Sequence, residues 1–215
     1  MSFVVEEGQN TEGAARRERA NDYLGDPEIR SALINYLSRD QKPHSGCVLI
    51  EELGLCRGQV RLDLGLVSGR LHGFEIKSDR DTLVRIDRQI DFYNRVVDRM
   101  TLVVGLRYQE VAEARVPEWW GILTAEKRGG EVLISERRAA GENPAQDIRS
   151  LAELLWLDDA MQLLDSRNAA RGYRGKPRRI IWDRICEVLS PDEIGFAVRA
   201  GLRARTTGRV LQQPL

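Results

Sequence analysis

Residues 61–79, RLDLGLVSGRLHGFEIKSD, constrain this chain more than any other stretch. Val60, Leu62, Leu64 and Leu66 alternate with Arg61, Asp63, Gly65 and Val67, a period of two that suits a strand and not a helix. Ser68-Gly69 supplies a tight turn, and Leu71 to Lys77 continues as another strand. Upstream, Cys47 to Leu53 also reads as a strand, followed by turn material at Gly54 and Arg57-Gly58. Three successive strands joined by short turns predict an antiparallel meander. Any fold must therefore accommodate two acids, Asp63 and Glu75, inside otherwise apolar strands.

On either side the period is helical. Asp26-Pro27 offers an N-cap and a first-turn proline, and Ile29, Leu33 and Leu37 recur at four-residue spacing until Lys42-Pro43. From about Asp81, residues Leu83, Ile86, Ile90, Tyr93 and Val97 share one helical side. Met100 to Leu106 is a compact apolar strand, residues 108–115 a short helix, and Trp120–Glu126 with Glu131–Arg137 a hairpin around Arg128-Gly129-Gly130. Gly141 to Asp147 reads as an internal linker. Beyond it, Ser150 with Glu153 and Ser190-Pro191 with Glu193 fit capping boxes, with Arg179 to Leu189 helical between them. The expected organisation is a flexible arm over residues 1–20, an α+β domain over 21–142 in the order αβββαβ plus a hairpin, and a small basic helical lobe over 148–215.

Composition removes several chemistries. Only His44 and His72 occur, so a multi-histidine metal site is excluded. Cys47, Cys56 and Cys186 form no C-x-x-C and cannot all pair, which leaves neither a zinc knuckle nor a disulfide framework. No apolar run approaches the ~20 residues that span a bilayer, and the start MSFVVEEGQN lacks the design of a secretory signal. A soluble, cytoplasmic setting is expected. The 33 basic and 33 acidic residues cancel, but unevenly. From Ser166 onward eleven basic residues face four acids, so that segment carries +7 and the first 165 residues carry −7.

If the two strands pair around Ser68-Gly69, Asp63 lies opposite or diagonal to Glu75, close enough for both carboxylates to share one ion. Period-two geometry puts Lys77 on the same face as Glu75. Two half-buried carboxylates and a lysine are costly without compensation, and a hard divalent cation, Mg²⁺ or Mn²⁺, supplies it through oxygen ligands. Lys77 could then orient or deprotonate a water near a scissile phosphate, while the cation activates that water and neutralises developing charge. Taken singly, Glu75-Ile76-Lys77 is an ordinary solvated pair and Asp63 an edge-strand charge; the combination on adjacent strands is what points to chemistry.

These residues resemble the core of the PD-(D/E)xK nuclease superfamily, the restriction-endonuclease-like fold, in which an Asp precedes an acid-x-Lys on a neighbouring strand. Asp63, Glu75 and Lys77 match position by position, and Leu62 stands where the superfamily usually has Pro. The resemblance covers roughly residues 26–106 and, with Pro117-Glu118-Trp119-Trp120-Gly121, is similar to an uncharacterised bacterial family placed in that superfamily. Gln89 and Tyr93 have the Q-x-x-x-Y form found after the acid-x-Lys in RecB-type exonucleases. They share a helical face with Arg85, where they could bracket DNA or hold Lys77; the plainer reading makes Tyr93 core and Arg85 a surface charge. The resemblance implies an α/β (α+β) fold with an αβββαβ core and mixed sheet, and Mg²⁺- or Mn²⁺-dependent hydrolysis of DNA. Asp63, Glu75 and the Ile76 carbonyl would be metal ligands and Lys77 would position the water. Glu28 and Glu52 compete for the role of additional acid. Glu52 is favoured, because Glu28 could simply complement the helix dipole, and Glu51 points away from Glu52 if the strand is regular. Asp79 and Asp81 read as caps of the next helix.

Among the remaining residues, His72 alternates with Phe74 and Ile76 and reads as packing, as do Trp156 and Trp182. His44 lies in a polar loop. One of Trp119 and Trp120 should be core. Gly172–Arg179 (GYRGKPRR), with Lys176, Arg178, Arg179 and Tyr173, suits phosphate-backbone binding, or else a solvated or docked basic surface. The competing functional class is a catalytically idle nucleic-acid-binding or interaction module, and a third is a structural partner of another enzyme. The oligomeric state is open, a homodimer being one option.

Overall fold

The computed structural model describes residues 23–40 and 47–206. The expected N-terminal arm, His44 and Arg209 lie outside the described residues. Within them the chain runs α1 (Asp26–Asp40), β1 (Val48–Leu55), β2 (Val60–Val67), β3 (Leu71–Lys77), α2 (Ile86–Tyr93), β4 (Arg99–Gly105), α3 (Gln109–Arg115), β5 (Gly121–Arg128) and β6 (Glu131–Arg138). Four helices follow: α4 (Ile148–Ala152), α5 (Leu157–Ser166), α6 (Arg178–Val188) and α7 (Pro191–Arg205).

All six strands form one mixed open sheet in chain order. β1, β2 and β3 are the antiparallel meander, β3, β4 and β5 run parallel, and β6 returns as an antiparallel hairpin. Each parallel step is bridged by a helix, α2 and then α3, since parallel neighbours require a crossover. Both faces of the sheet are covered. On one, α1 buries Ile29, Leu33, Ile34 and Leu37 against Leu49, Leu64, Leu66, Phe74, Ile76 and Val103. On the other, α2, α3 and the C-terminal helices share one continuous core with Leu62, Leu71, Met100, Leu102 and Val104. Residues 100–104 of β4 are accordingly buried throughout, the pattern of a strand enclosed on both sides.

The C-terminal helices pack into the sheet's own core and do not enclose a separate one. Arg199 pairs with Asp98 at 3.2 Å, and Arg203 donates to the Ser68 carbonyl at 2.6 Å, joining α7 to the turns at one end of the sheet. The stretch expected as a linker is tied down too. Asn143 Nδ2 donates to the carbonyls of Asn94 and Val97 at 2.7 and 2.8 Å, and Gln146 Nε2 to that of Val96 at 2.6 Å. These bonds satisfy carbonyls that α2 leaves exposed where it stops, four residues short of the expected Val97. Its place at the start is partly taken by a 3₁₀ turn, Leu83–Arg85.

Three further expectations are corrected. Asp147, not Ser150, caps α4, its carboxylate accepting from Arg149 N, while Glu153 pairs with Arg149; the box at Ser190 and Glu193 is present. Trp156 is 63% exposed rather than packed, because it precedes α5 as its N-cap residue. Asp79 and Asp81 cap no helix: Asp81 accepts from Ser78 N at 2.8 Å and Asp79 from Leu24 N at 3.1 Å.

The meander also departs from simple alternation. In β1, Val48 and Ile50 face the core under the C-terminal helices, but so do Leu53 and Leu55, so the side-chain parity reverses between residues 50 and 53. In β2, Leu62 belongs to that same core while Leu64 and Leu66 belong to the one under α1. The expectation that Val60, Leu62, Leu64 and Leu66 share one face therefore fails. Both reversals fall at one place. The pairs Glu51↔Leu64 and Leu53↔Leu62 leave Glu52 facing Asp63, and Glu52 has φ +56°, a left-handed backbone that non-glycine residues adopt rarely.

Candidate active site

Asp63 is set by this irregularity. The β2–β3 ladder is regular from Val67↔Leu71 to Leu64↔Phe74, and beyond it the Ile76 N–H is taken by Asp63 Oδ2 at 2.7 Å. Asp63 Oδ1 and carbonyl accept from Arg30 of α1 at 3.2 and 3.0 Å. The same guanidinium pairs with Asp26 at 3.0 Å and Glu52 at 3.2 Å. Glu52 is paired in addition with Arg61 at 2.7 Å.

β3 keeps strict alternation. Phe74 and Ile76 enter the core under α1, so Glu75 and Lys77 point to the side of α2. Glu75 is only 3% exposed and is held from three directions. Its Oε1 accepts from Lys77 Nζ at 2.7 Å and Gln89 Nε2 at 2.5 Å, and its Oε2 from Tyr93 Oη at 2.6 Å. Tyr93 Oη lies 3.0 Å from the Arg61 carbonyl and accepts from Gln89 Nε2 at 3.3 Å. Gln89 and Tyr93 reach Glu75 together because they sit one turn apart on α2, the spacing that places two side chains on one face. Gln89 Oε1 is buried and has no hydrogen-bond partner among the described residues.

These groups line one cleft of about 430 Å³. Asp63, Glu75, Ile76, Lys77, Glu52, Gln89 and Arg85 all border it, together with Asp26, Gln59, Arg61, Arg88 and Phe92. Tyr93 lies beneath, fully buried. Of the two competing acids, Glu52 is at the cleft; Glu28 accepts from Gly25 N at 2.9 Å and is not part of its lining. Lys176, Arg178 and Arg179 are exposed and lie away from this cleft. Asp26 reads in the sequence only as a helix cap, and Arg30 carries no signal of a site role there. Their i, i+4 spacing on α1 is visible, but Arg30's reach to Asp63 depends on how α1 packs.

Charge coupling follows from this geometry. Burial, then the neighbouring Glu75 charge, pushes the Asp63 carboxyl up to about 6, against the pull of the Ile76 N–H and Arg30. Burial and Glu75 hold the Tyr93 phenol far above its ordinary range, so it stays a donor. His72 lies on the other face, its Nε2 2.8 Å from Thr101 Oγ1, and burial followed by the Arg99 charge takes it down to about 4. No group of three or more His, Cys, Asp or Glu side chains is gathered as a metal cage among the described residues.

The family model of bacteriophage P4 protein cII matches residues 19–210 of this chain. The chain belongs to that family. Protein cII of Enterobacteria phage P4 is 28% identical over 111 residues, 52% of this chain and 42% of that protein, so the match spans less than half of the phage protein. Among solved structures, SPO1766, a protein of unknown function from Silicibacter pomeroyi, superposes with a TM-score of 0.42 at 21% identity, over 72% of this chain and 96% of the other. Every residue lining the cleft falls inside the span matched by the P4 cII family model. No helix among the described residues is long and apolar enough to cross a membrane.

Proposed function

We propose that this member of the P4 cII family is a metal-dependent nuclease of the PD-(D/E)xK type, hydrolysing phosphodiester bonds of DNA. The observation that carries the reading is the convergence of Asp63, Glu75 and Lys77 on one cleft, with Gln89 and Tyr93 both bonded to Glu75. The sheet adds support: an αβββαβ succession in which two antiparallel strands hand over to a parallel step is the core that the resemblance implies. Supporting too is the cleft rim, where the guanidinium groups of Arg61, Arg85 and Arg88 suit a phosphate backbone.

A hard divalent cation, Mg²⁺ or Mn²⁺, fits the donor set, which is all oxygen: the Asp63 and Glu75 carboxylates and the Ile76 carbonyl. Burial and then the Glu75 charge raise Asp63, and such an ion would relieve both; Gln89 Oε1 is a further buried oxygen without a hydrogen-bond partner among the described residues. When bound, the cation supplies charge neutralisation at the phosphate and activation of a water. The chain's own residues do the rest. Lys77 places its Nζ beside Glu75 to orient the water; Tyr93 and Gln89 fix the Glu75 rotamer; Arg30 holds Asp63 from the α1 side.

The test is incubation with duplex, single-stranded and branched DNA and with RNA in Mg²⁺ or Mn²⁺, comparing the native chain with Asp63→Ala and Lys77→Ala. Cleavage should be lost in both variants, and no cleavage of any substrate by the native chain overturns the enzyme reading. One observation favours the second reading, an idle nucleic-acid-binding module: both oxygens of Asp63 and of Glu75 already accept hydrogen bonds, and Glu52 is paired with two arginines. Calorimetry separates the two, since that module would bind DNA without binding the cation.

A further inference from the structure

A second depression lies on the other side of the β1–β2 connection. It has a volume of about 740 Å³ and runs between Ile50, Leu53 and Gly54 of β1 and the C-terminal helices, with Arg57, Arg178, Arg179, Arg205, Trp156 and Trp182 on its walls. The two depressions share one short segment of chain: Glu52, Gln59 and Val60 border the cleft, while Leu53, Gly54 and Arg57 border this groove.

Its chemistry is basic and aromatic. Four arginines face a single acid, Glu153, which is already paired with Arg149 at 3.0 Å. Arg205 is committed to Asp159 and to the Leu154 carbonyl and lies 4.6 Å from the Trp156 ring, bracing an indole that is otherwise 63% exposed. Arg57, Arg178 and Arg179 are exposed, and their side chains make no ion pair among the described residues. Two local conflicts concentrate here. Arg57 has φ +60°, a backbone that disfavours side chains. Arg178 and Arg179 open α6, whose N-cap Pro177 supplies no side-chain acceptor and whose first turn holds no acid, so two cations sit at the positive end of a helix. An anion in the groove answers the second.

We propose that this groove is a second nucleic-acid subsite, which takes phosphates of a single DNA strand on Arg57, Arg178 and Arg179 and one of its bases on the exposed Trp156 face. The inference rests on the DNA reading of the cleft and deepens it: a strand leaving the cleft crosses the β1–β2 turn and enters the groove. An apolar peptide suits the floor of leucines but leaves three arginines unanswered, and a bare phosphate has no use for an open indole.

The experiment is fluorescence anisotropy of labelled oligothymidine in EDTA, which removes catalysis, using a strand long enough to span both depressions and a dinucleotide that spans one. Trp156→Ala should weaken binding of the longer strand by at least about fivefold, the lower end of base–aromatic stacking, and Trp156→Phe by less. Arg178→Ala/Arg179→Ala should lower the salt-dependence slope by about 1.4 if each arginine holds one phosphate. Circular dichroism confirms that the variants are folded. Undiminished binding of the longer strand by these folded variants overturns the groove while leaving the cleft reading intact. Failure of the native chain to bind either strand overturns both.

Discussion

Replacing Asp63 by asparagine isolates the electrostatic tension at the centre of the cleft. The Asp63 carboxyl stands at about 6 in the fold against 3.8 unperturbed, and its side chain is 20% exposed. At 1.36 kcal/mol per pH unit the difference is about 3 kcal/mol. The sign is that of a raised carboxyl. Below pH 3.8 both states hold the proton and the stabilising contribution is complete. It declines as pH rises towards 6, because the folded chain must give up a proton that the unfolded chain has already lost. Wild-type stability alone is uninformative here, since His72 works in the opposite sense over the same window: held down at about 4, it favours the fold increasingly as pH rises. The difference between variant and wild type cancels His72. The amide introduced by Asp63→Asn does not titrate and can still accept from the Ile76 N–H, so the variant's advantage should grow by about 2–2.5 kcal/mol of that difference between pH 4 and pH 7. For a chain of this size that widens the gap in Tm by roughly 5–10 °C. Thermal unfolding followed by far-UV circular dichroism in EDTA reads it directly. A gap that stays constant across the window would refute the claim that burial and Glu75 raise Asp63.

Other outcomes follow from the same network. Added Mg²⁺ at pH 8 should raise the Tm of the wild type but not of Asp63→Asn, because ligand binding to the folded state stabilises only the form that binds. Tyr93→Phe removes a hydrogen bond to a buried carboxylate and should cost about 1.5–3 kcal/mol in urea titrations. Lys77→Met leaves Glu75 without its cation and should cost roughly 3–5 kcal/mol, whereas Glu75→Leu/Lys77→Met should cost much less than the two single changes added together. Arg30→Gln should tighten Mn²⁺ binding in calorimetry, because a competing positive charge leaves Asp63; unchanged affinity would show that Arg30 does not oppose the ion. His72 should show no imidazole titration by NMR between about pH 5 and pH 8.

The amount legible beforehand depended on how local each feature is. Alternation in residues 60–77 and the apolar spacing of α1 are set by backbone geometry, and both placed their elements to within a few residues. The pairs Glu75 with Lys77 and Gln89 with Tyr93 are legible because short-range periodicity on one strand and one helix defines each, but the expected hold on Lys77 is corrected: Gln89 and Tyr93 both bond to Glu75. Arg30 was not legible, since its partners Glu52 and Asp63 come from two other elements. Gly141–Asp147 has neither helix nor strand, but its polar residues are not loose: Asn143 and Gln146 donate to the backbone around Val97, long-range partners that composition does not reveal. Trp156 looked like packing because its neighbours Leu154, Leu155 and Leu157 are apolar, yet it falls between helices.

The reversal in β2 has a mechanical consequence for Asp63. Leu62 is anchored beneath the C-terminal helices and Leu64 beneath α1, so the residue between them is clamped by two independent hydrophobic layers. Neither layer can slide or thin without dragging the carboxylate. A cavity made at Leu33 on one side, or at Ile185 on the other, should therefore be felt at the cleft as a change in its geometry, although neither residue borders it.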